Sequence, residues 1–330
     1  MAERARGRGN ARPGLLEGAW LRLRRRLGVA AAVVAPLLLP ACDSPSAPPG
    51  AAASASAPLP PPLAAVPALA TGAPVAPGAA SPSNPLGLPP GRVKLDAGRR
   101  VFTFSDRMLA GARPGSTLVL YAATVVGFEG DDLIIEGRGG PSYKVHPGYV
   151  IPVPDAFRPR LHDPVLTEWN GAMKHAVVTR FVKDRLAVRY TDMDARTPEA
   201  LLKDVRFVRQ VEGLAPGNYA ALREGDAWRH VLLVSRAGDE SPAAGARWLA
   251  LGYGGAALLA DEAALRPIPI NPTKIKVGAP VLAEWVGTLR RATVQSVDDT
   301  GLFTVKFERA GRPVRVGWGL LTPPLDDRPR

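Results

Sequence analysis

Cysteine is nearly absent: Cys42 is the only one in 330 residues. A single thiol excludes an intramolecular disulfide and a cysteine-rich zinc site. Aromatic residues are also scarce, at 6%, whereas glycine and proline number 34 and 35. That balance excludes one large aromatic core and favours small, turn-rich units. Lys and Arg are missing altogether between Asp43 and Gly91. The four histidines, His146, His162, His175 and His230, are spread along the chain with no helical i, i+4 pair. No nucleophile-elbow, phosphate-loop or His-Glu-x-x-His pattern occurs, so nothing marks an enzyme or a cofactor site. Asp192 and Asp194 lack the glycine and distal glutamate of a calcium loop and read as a solvated turn, with no metal expected.

What is present begins with charge. The net charge is +12, but residues 1–41 hold eight Arg against Glu3 and Glu17, a net +6. Half of the basic excess therefore belongs to a segment that reads as a signal peptide. The four folded segments delimited below carry about +1, +3, −1 and +4, which argues against nucleic acid as a partner. The basic cluster Arg22 to Arg26 precedes an apolar run from Leu27 to Ala41, 15 residues long. A membrane-crossing helix needs about 20, so the run fits the apolar core of an export signal. It ends Leu39-Pro40-Ala41-Cys42, which resembles the lipobox of bacterial lipoproteins. The resemblance implies cleavage before Cys42, diacylation of that residue and a lipid anchor in the cell envelope. From residue 42 to 91 the chain is mostly Ala, Pro, Ser, Gly, Leu and Val with no persistent period. The expectation is a disordered tether.

The remainder is repetitive. Pro164-Val165-Leu166-Thr167-Glu168-Trp169-Asn170-Gly171 recurs as Pro280-Val281-Leu282-Ala283-Glu284-Trp285-Val286-Gly287, identical at six of eight positions and 116 residues apart. Each copy continues as a strand, a polar turn and a second strand. A weaker pair, Pro114 to Leu120 and Pro216 to Leu222, shares its Pro, Gly and last Leu. The order A-B-A-B points to a duplicated tandem pair, with units A1 at 92–157, B1 at 158–213, A2 at 214–270 and B2 at 271–330. Short strands at this spacing predict an all-β fold of several small barrels. Units of 50–60 residues are marginal alone, so neighbours are expected to pack together.

The B units resemble the Tudor and agenet group of SH3-like barrels. Val281 to Trp285, Ala292-Thr293-Val294 and Val305-Lys306-Phe307 carry the likeness, as do Val165 to Trp169, Ala176-Val177-Val178 and Val188-Arg189-Tyr190. The A units fit the pattern loosely. The resemblance implies that Trp169 lies at a barrel rim beside Tyr190, and Trp285 beside Phe307. These four are the candidate ligand-binding residues. Members that bind methylated side chains use a cage of about four aromatics. Lys174 and Arg290 stand at the second cage position here, and Met193 follows the third strand in B1, so the cage is incomplete. Two partner classes stay open: an envelope protein or peptide, and a cell-wall polymer.

Overall fold

The computed structural model describes residues 80–89, 95–191, 199–203, 206–237, 245–270, 275–298, 302–309 and 311–326. Cys42, the export segment and the tether up to residue 79 lie outside them, as do Asp192, Met193 and Asp194.

The described residues fold as four five-stranded units. The first holds β1 (Arg100–Thr103), β2 (Tyr121–Glu129), β3 (Asp132–Glu136), β4 (Tyr143–Val145) and β5 (Val150–Pro152). The second holds β6 (Pro164–Trp169), β7 (Ala172–Val182), β8 (Arg185–Tyr190), β9 (Ala200–Leu202) and β10 (Val208–Arg209). The third holds β11 (Tyr219–Glu224), β12 (Ala227–Ala237), β13 (Arg247–Leu251), β14 (Ala257–Asp261) and β15 (Leu265–Pro267). The fourth holds β16 (Pro280–Trp285), β17 (Thr288–Val297), β18 (Phe303–Phe307), β19 (Val314–Val316) and β20 (Leu321–Thr322). In each, the strands pair antiparallel in the order fifth, first, second, third, fourth. That is the strand order of an SH3-like barrel, and the A units share it with the B units.

Two local devices recur in all four barrels. The first is a turn residue at positive φ just before the first strand: Gly98, His162, Gly217 and Gly278. Its N–H donates to the carbonyl of Val125 (2.7 Å), Val178 (2.8 Å), Leu233 (2.7 Å) or Val294 (2.9 Å). The second is a bulge immediately after that acceptor, in the middle of the second strand. A bulge sharpens local twist and bends the strand, which lets a short sheet curl on itself. Alternation then decides the inside. Val165, Ala176, Val178, Val188 and Tyr190 fill B1, and Val281, Ala292, Val294, Val305 and Phe307 fill B2 from the same positions.

The strand register corrects the weaker sequence repeat. Pro216-Gly217 opens the first strand of A2, whereas Pro114-Gly115 follows the first strand of A1. The A1 residue equivalent to Gly217 is Gly98. Pro114 to Leu120 belongs to an A1 insertion, residues 104–120, which carries the short helix α1 (Asp106–Leu109). The insertion runs onto A2, where Gly115 N–H donates to the Ala257 carbonyl and Leu118 N–H to that of Gly255.

The barrels share interfaces, as their small size demands. Tyr121 pairs with Ala172, and Arg229 with Thr288, so A1–B1 and A2–B2 each form one continuous ten-stranded sheet. The core of A1 runs on into Leu166 and Met173 of B1 and Val234, Leu249 and Leu251 of A2.

Residues 80–89, expected to fall within the tether of 42–91, are instead part of A1. Leu88 is 1% exposed and packs in the A1 core. The Asn84 side chain closes a loop on Leu88 through both backbone groups, at 2.7 and 2.8 Å, and Tyr149 Oη donates to it at 3.1 Å. Ser83 Oγ donates to Asp132. Average composition does not distinguish this strap from the sequence of residues 43–79; one asparagine able to satisfy the backbone does.

Candidate functional site

The two tryptophans end the first strands of B1 and B2, and each meets the aromatic residue that ends the third. Trp169 and Tyr190 lie 5.3 Å apart between centroids at 79°, and Trp285 and Phe307 5.0 Å apart at 68°. These are edge-to-face pairs, a favoured packing geometry. Tyr190 and Phe307 are buried, and Tyr190 Oη donates to the Glu168 carbonyl. Trp169 is 37% exposed, and Trp285 packs partly against the B2 core. Each pair therefore presents one tryptophan above a buried ring. That arrangement closes a barrel end and offers a ligand a single aromatic surface.

A second aromatic group joins residues far apart in sequence. His175 stacks on Tyr219 at 4.1 Å, and His230 meets the same ring at 4.4 Å. His175 Nε2 lies 2.7 Å from the Gly217 carbonyl and His230 Nε2 2.8 Å from that of Gly319. A carbonyl only accepts, so both rings carry their proton on Nε2. Burial holds His230 neutral, pushing its pKa down to about 4; the Gly319 carbonyl opposes that fall and nearby His175 adds to it. The stack ties B1 to A2 and A2 to B2.

Beside the stack lies a cleft of about 340 Å³ to which all four barrels contribute. Leu120 comes from A1, Met173 from B1, Leu232 from A2 and Leu320 from B2. Lys174 of B1 and Glu284 of B2 add opposite charges, and Tyr219 and His230 connect the cleft to the stack. Glu284 Oε1 accepts from the N–H of Gly287 at 2.8 Å. The loop Gly252 to Gly255 of A2 supplies backbone to the lining, with Tyr253 in its middle. Glycine is required at two of these positions. A Cβ on Gly255 would collide with the Leu118 carbonyl oxygen, and one on Gly287 would fall 2.5 Å from Tyr253 Cβ. Apolar lining with a few placed polar groups is the usual make-up of a ligand site.

Sequence reasoning brought together the tryptophan pairs and missed the cleft and the histidine stack. The Gly-Tyr-Gly-Gly string at 252–255, an aromatic between flexible residues, was the one local signal for it. Among the described residues no cluster of His, Cys, Asp and Glu is placed to hold a metal ion, and no helix is long and apolar enough to cross a membrane.

No family model and no curated protein matches the sequence. Among solved structures, the chain is similar to the four MBT repeats of Drosophila melanogaster Sfmbt in complex with the peptide RHR (me)K VLR. Identity is 11%, with 69% of this chain and 88% of that chain covered and a TM-score of 0.14. A score that low adds nothing to the barrel assignment, which stands on the strand order.

Proposed function

We propose that this chain is a non-enzymatic binding module whose fused barrels hold a peptide segment of a partner protein in the central cleft. One observation carries this reading: the cleft is lined by residues of all four barrels, so it exists only because the barrels are locked together. Its apolar lining suits a side chain, and its glycine-bounded backbone suits main-chain hydrogen bonding to an extended chain. Glu284 in the lining matches a basic residue of such a segment.

A displayed library of random peptides, selected on the full chain, tests the reading. Peptides should enrich, and a photo-crosslinking residue at position 174 should label them while one at position 169 does not. Labelling from 169 alone would move the site to the tryptophan rim. Binding to intact cell-wall sacculi with no peptide enriched would replace a peptide partner by a polymer.

The module is held at a membrane in the cell envelope through a lipid on Cys42, a reading supported by the Leu39 to Cys42 sequence after the basic and apolar segments. Cys42→Ser should move the protein from the detergent to the aqueous phase on phase partitioning. Continued entry of the variant into detergent would remove the anchor.

A further inference from the structure

The first hairpins of B1 and B2 have the same two-residue turn and different occupants. Asn170-Gly171 sits at φ 51° and 85°, and Val286-Gly287 at φ 50° and 80°. Two successive left-handed residues make the turn that suits a twisted hairpin, and Asn-Gly is its ordinary sequence. Valine is among the residues least tolerant of this backbone, since its branched Cβ crowds the following carbonyl. Burial does not compensate: Val286 is 61% exposed. The neighbouring Tyr253, from A2, is 65% exposed and rests its Cβ against Gly287. A strained, solvent-facing valine thus stands next in sequence to Gly287 of the cleft lining, and Gly287 lies against the solvent-facing Tyr253 of the neighbouring barrel.

We infer that Val286 and Tyr253 form the apolar lip of the cleft and select peptides with an aliphatic or aromatic anchor residue. This rests on the peptide reading above. The turn serves the fold, but a valine strained within it does not, and that choice of residue points to a role outside the fold. Two exposed apolar side chains gain most by covering a third. Glu284 within the lining gives charge complementarity to a basic residue flanking that anchor. Valine at 286 raises ligand contact at the expense of the turn, so stability and binding pull in opposite directions at this residue.

The test uses the full chain, peptides enriched from the random library, and the variants Val286→Asn and Tyr253→Ser. Fluorescence polarisation should show about tenfold weaker binding for each, in line with loss of an interface contact. Val286→Asn should also melt at a higher temperature than the wild type, because asparagine suits the turn. A loss of binding with a gain in stability separates a ligand contact from general damage to the fold. Wild-type affinity in Val286→Asn, or a lower melting temperature, overturns the inference while leaving the peptide reading in place. Failure of any peptide to enrich on the wild type overturns the peptide reading itself.

Discussion

Barrels B1 and B2 have nearly the same first hairpin and the same bulge, yet one position of their second strand differs in kind. Counting from the bulge, His175 in B1 corresponds to Arg291 in B2, to His230 in A2 and to Ala122 in A1. His175 is buried and reaches the carbonyl of Gly217 in the next barrel; His230 is buried and reaches Gly319 in the next. Arg291 faces solvent. The residue follows its neighbour: imidazole where another barrel covers the strand, a charge where water does. A neutral ring satisfies a buried carbonyl without importing an ion, which a guanidinium cannot do.

The backbone makes the other kind of junction. Ala122 N–H donates to Gly171, and its counterpart His230 N–H to Gly287, at 2.8 and 2.9 Å. This backbone junction between A and B is therefore the same in both halves, and in A2–B2 the His230 side chain adds its bond to Gly319. The B1-to-A2 contact uses the His175 side chain in the same way. Exchanging the two residues breaks the comparison most directly. His175→Arg should destabilise the fold by about 3–5 kcal/mol, since it sets an unpaired charge against Tyr219 in a buried interface. Arg291→His should change stability by less than about 0.5 kcal/mol, as exposed substitutions do. Urea unfolding of both variants measures the difference. Equal effects would show that the position is not governed by what covers it.

These relations were unequally legible in the sequence. The B barrels could be read because Val-Leu-x-Glu-Trp and the strands after it are local signals. The A1 barrel could not be fully aligned, since the insertion from Phe104 to Leu120 separates its first two strands and carries a Pro-Gly that imitates the start of A2. Residues 80–89 share the composition of residues 43–79 and differ by one well-placed asparagine. The cleft was out of reach for a different reason. Leu120, Met173, Leu232 and Leu320 look like ordinary core positions, and only their convergence makes a site. His175 and His230 are 55 residues apart in sequence and become a pair through Tyr219.

The histidine position also predicts how the molecule responds to acid. His230 has a pKa of about 4 in the fold, lowered chiefly by burial, against about 6.5 in an unfolded chain. Below pH 6.5 the unfolded state binds a proton that the folded state refuses, so stability falls as pH falls and levels off near pH 4. A tenfold difference in proton affinity corresponds to about 1.4 kcal/mol, so the full drop approaches about 3 kcal/mol, and about 2 of it is lost between pH 6.5 and 5. His146, also lowered by burial, adds to the same slope despite the opposing charges of Asp132 and Asp131. His230→Gln keeps an N–H donor for the Gly319 carbonyl and removes the titrating ring. Urea midpoints at pH 6.5 and 5 should therefore converge in that variant by at least half of the wild-type difference. Introducing a histidine at the exposed Arg291 should leave the wild-type slope unchanged, because a solvated ring titrates alike in both states. A slope that survives His230→Gln would place the acid sensitivity elsewhere. It would also leave the His175–Tyr219–His230 stack as packing alone, with no part in how the four barrels hold together as the pH falls.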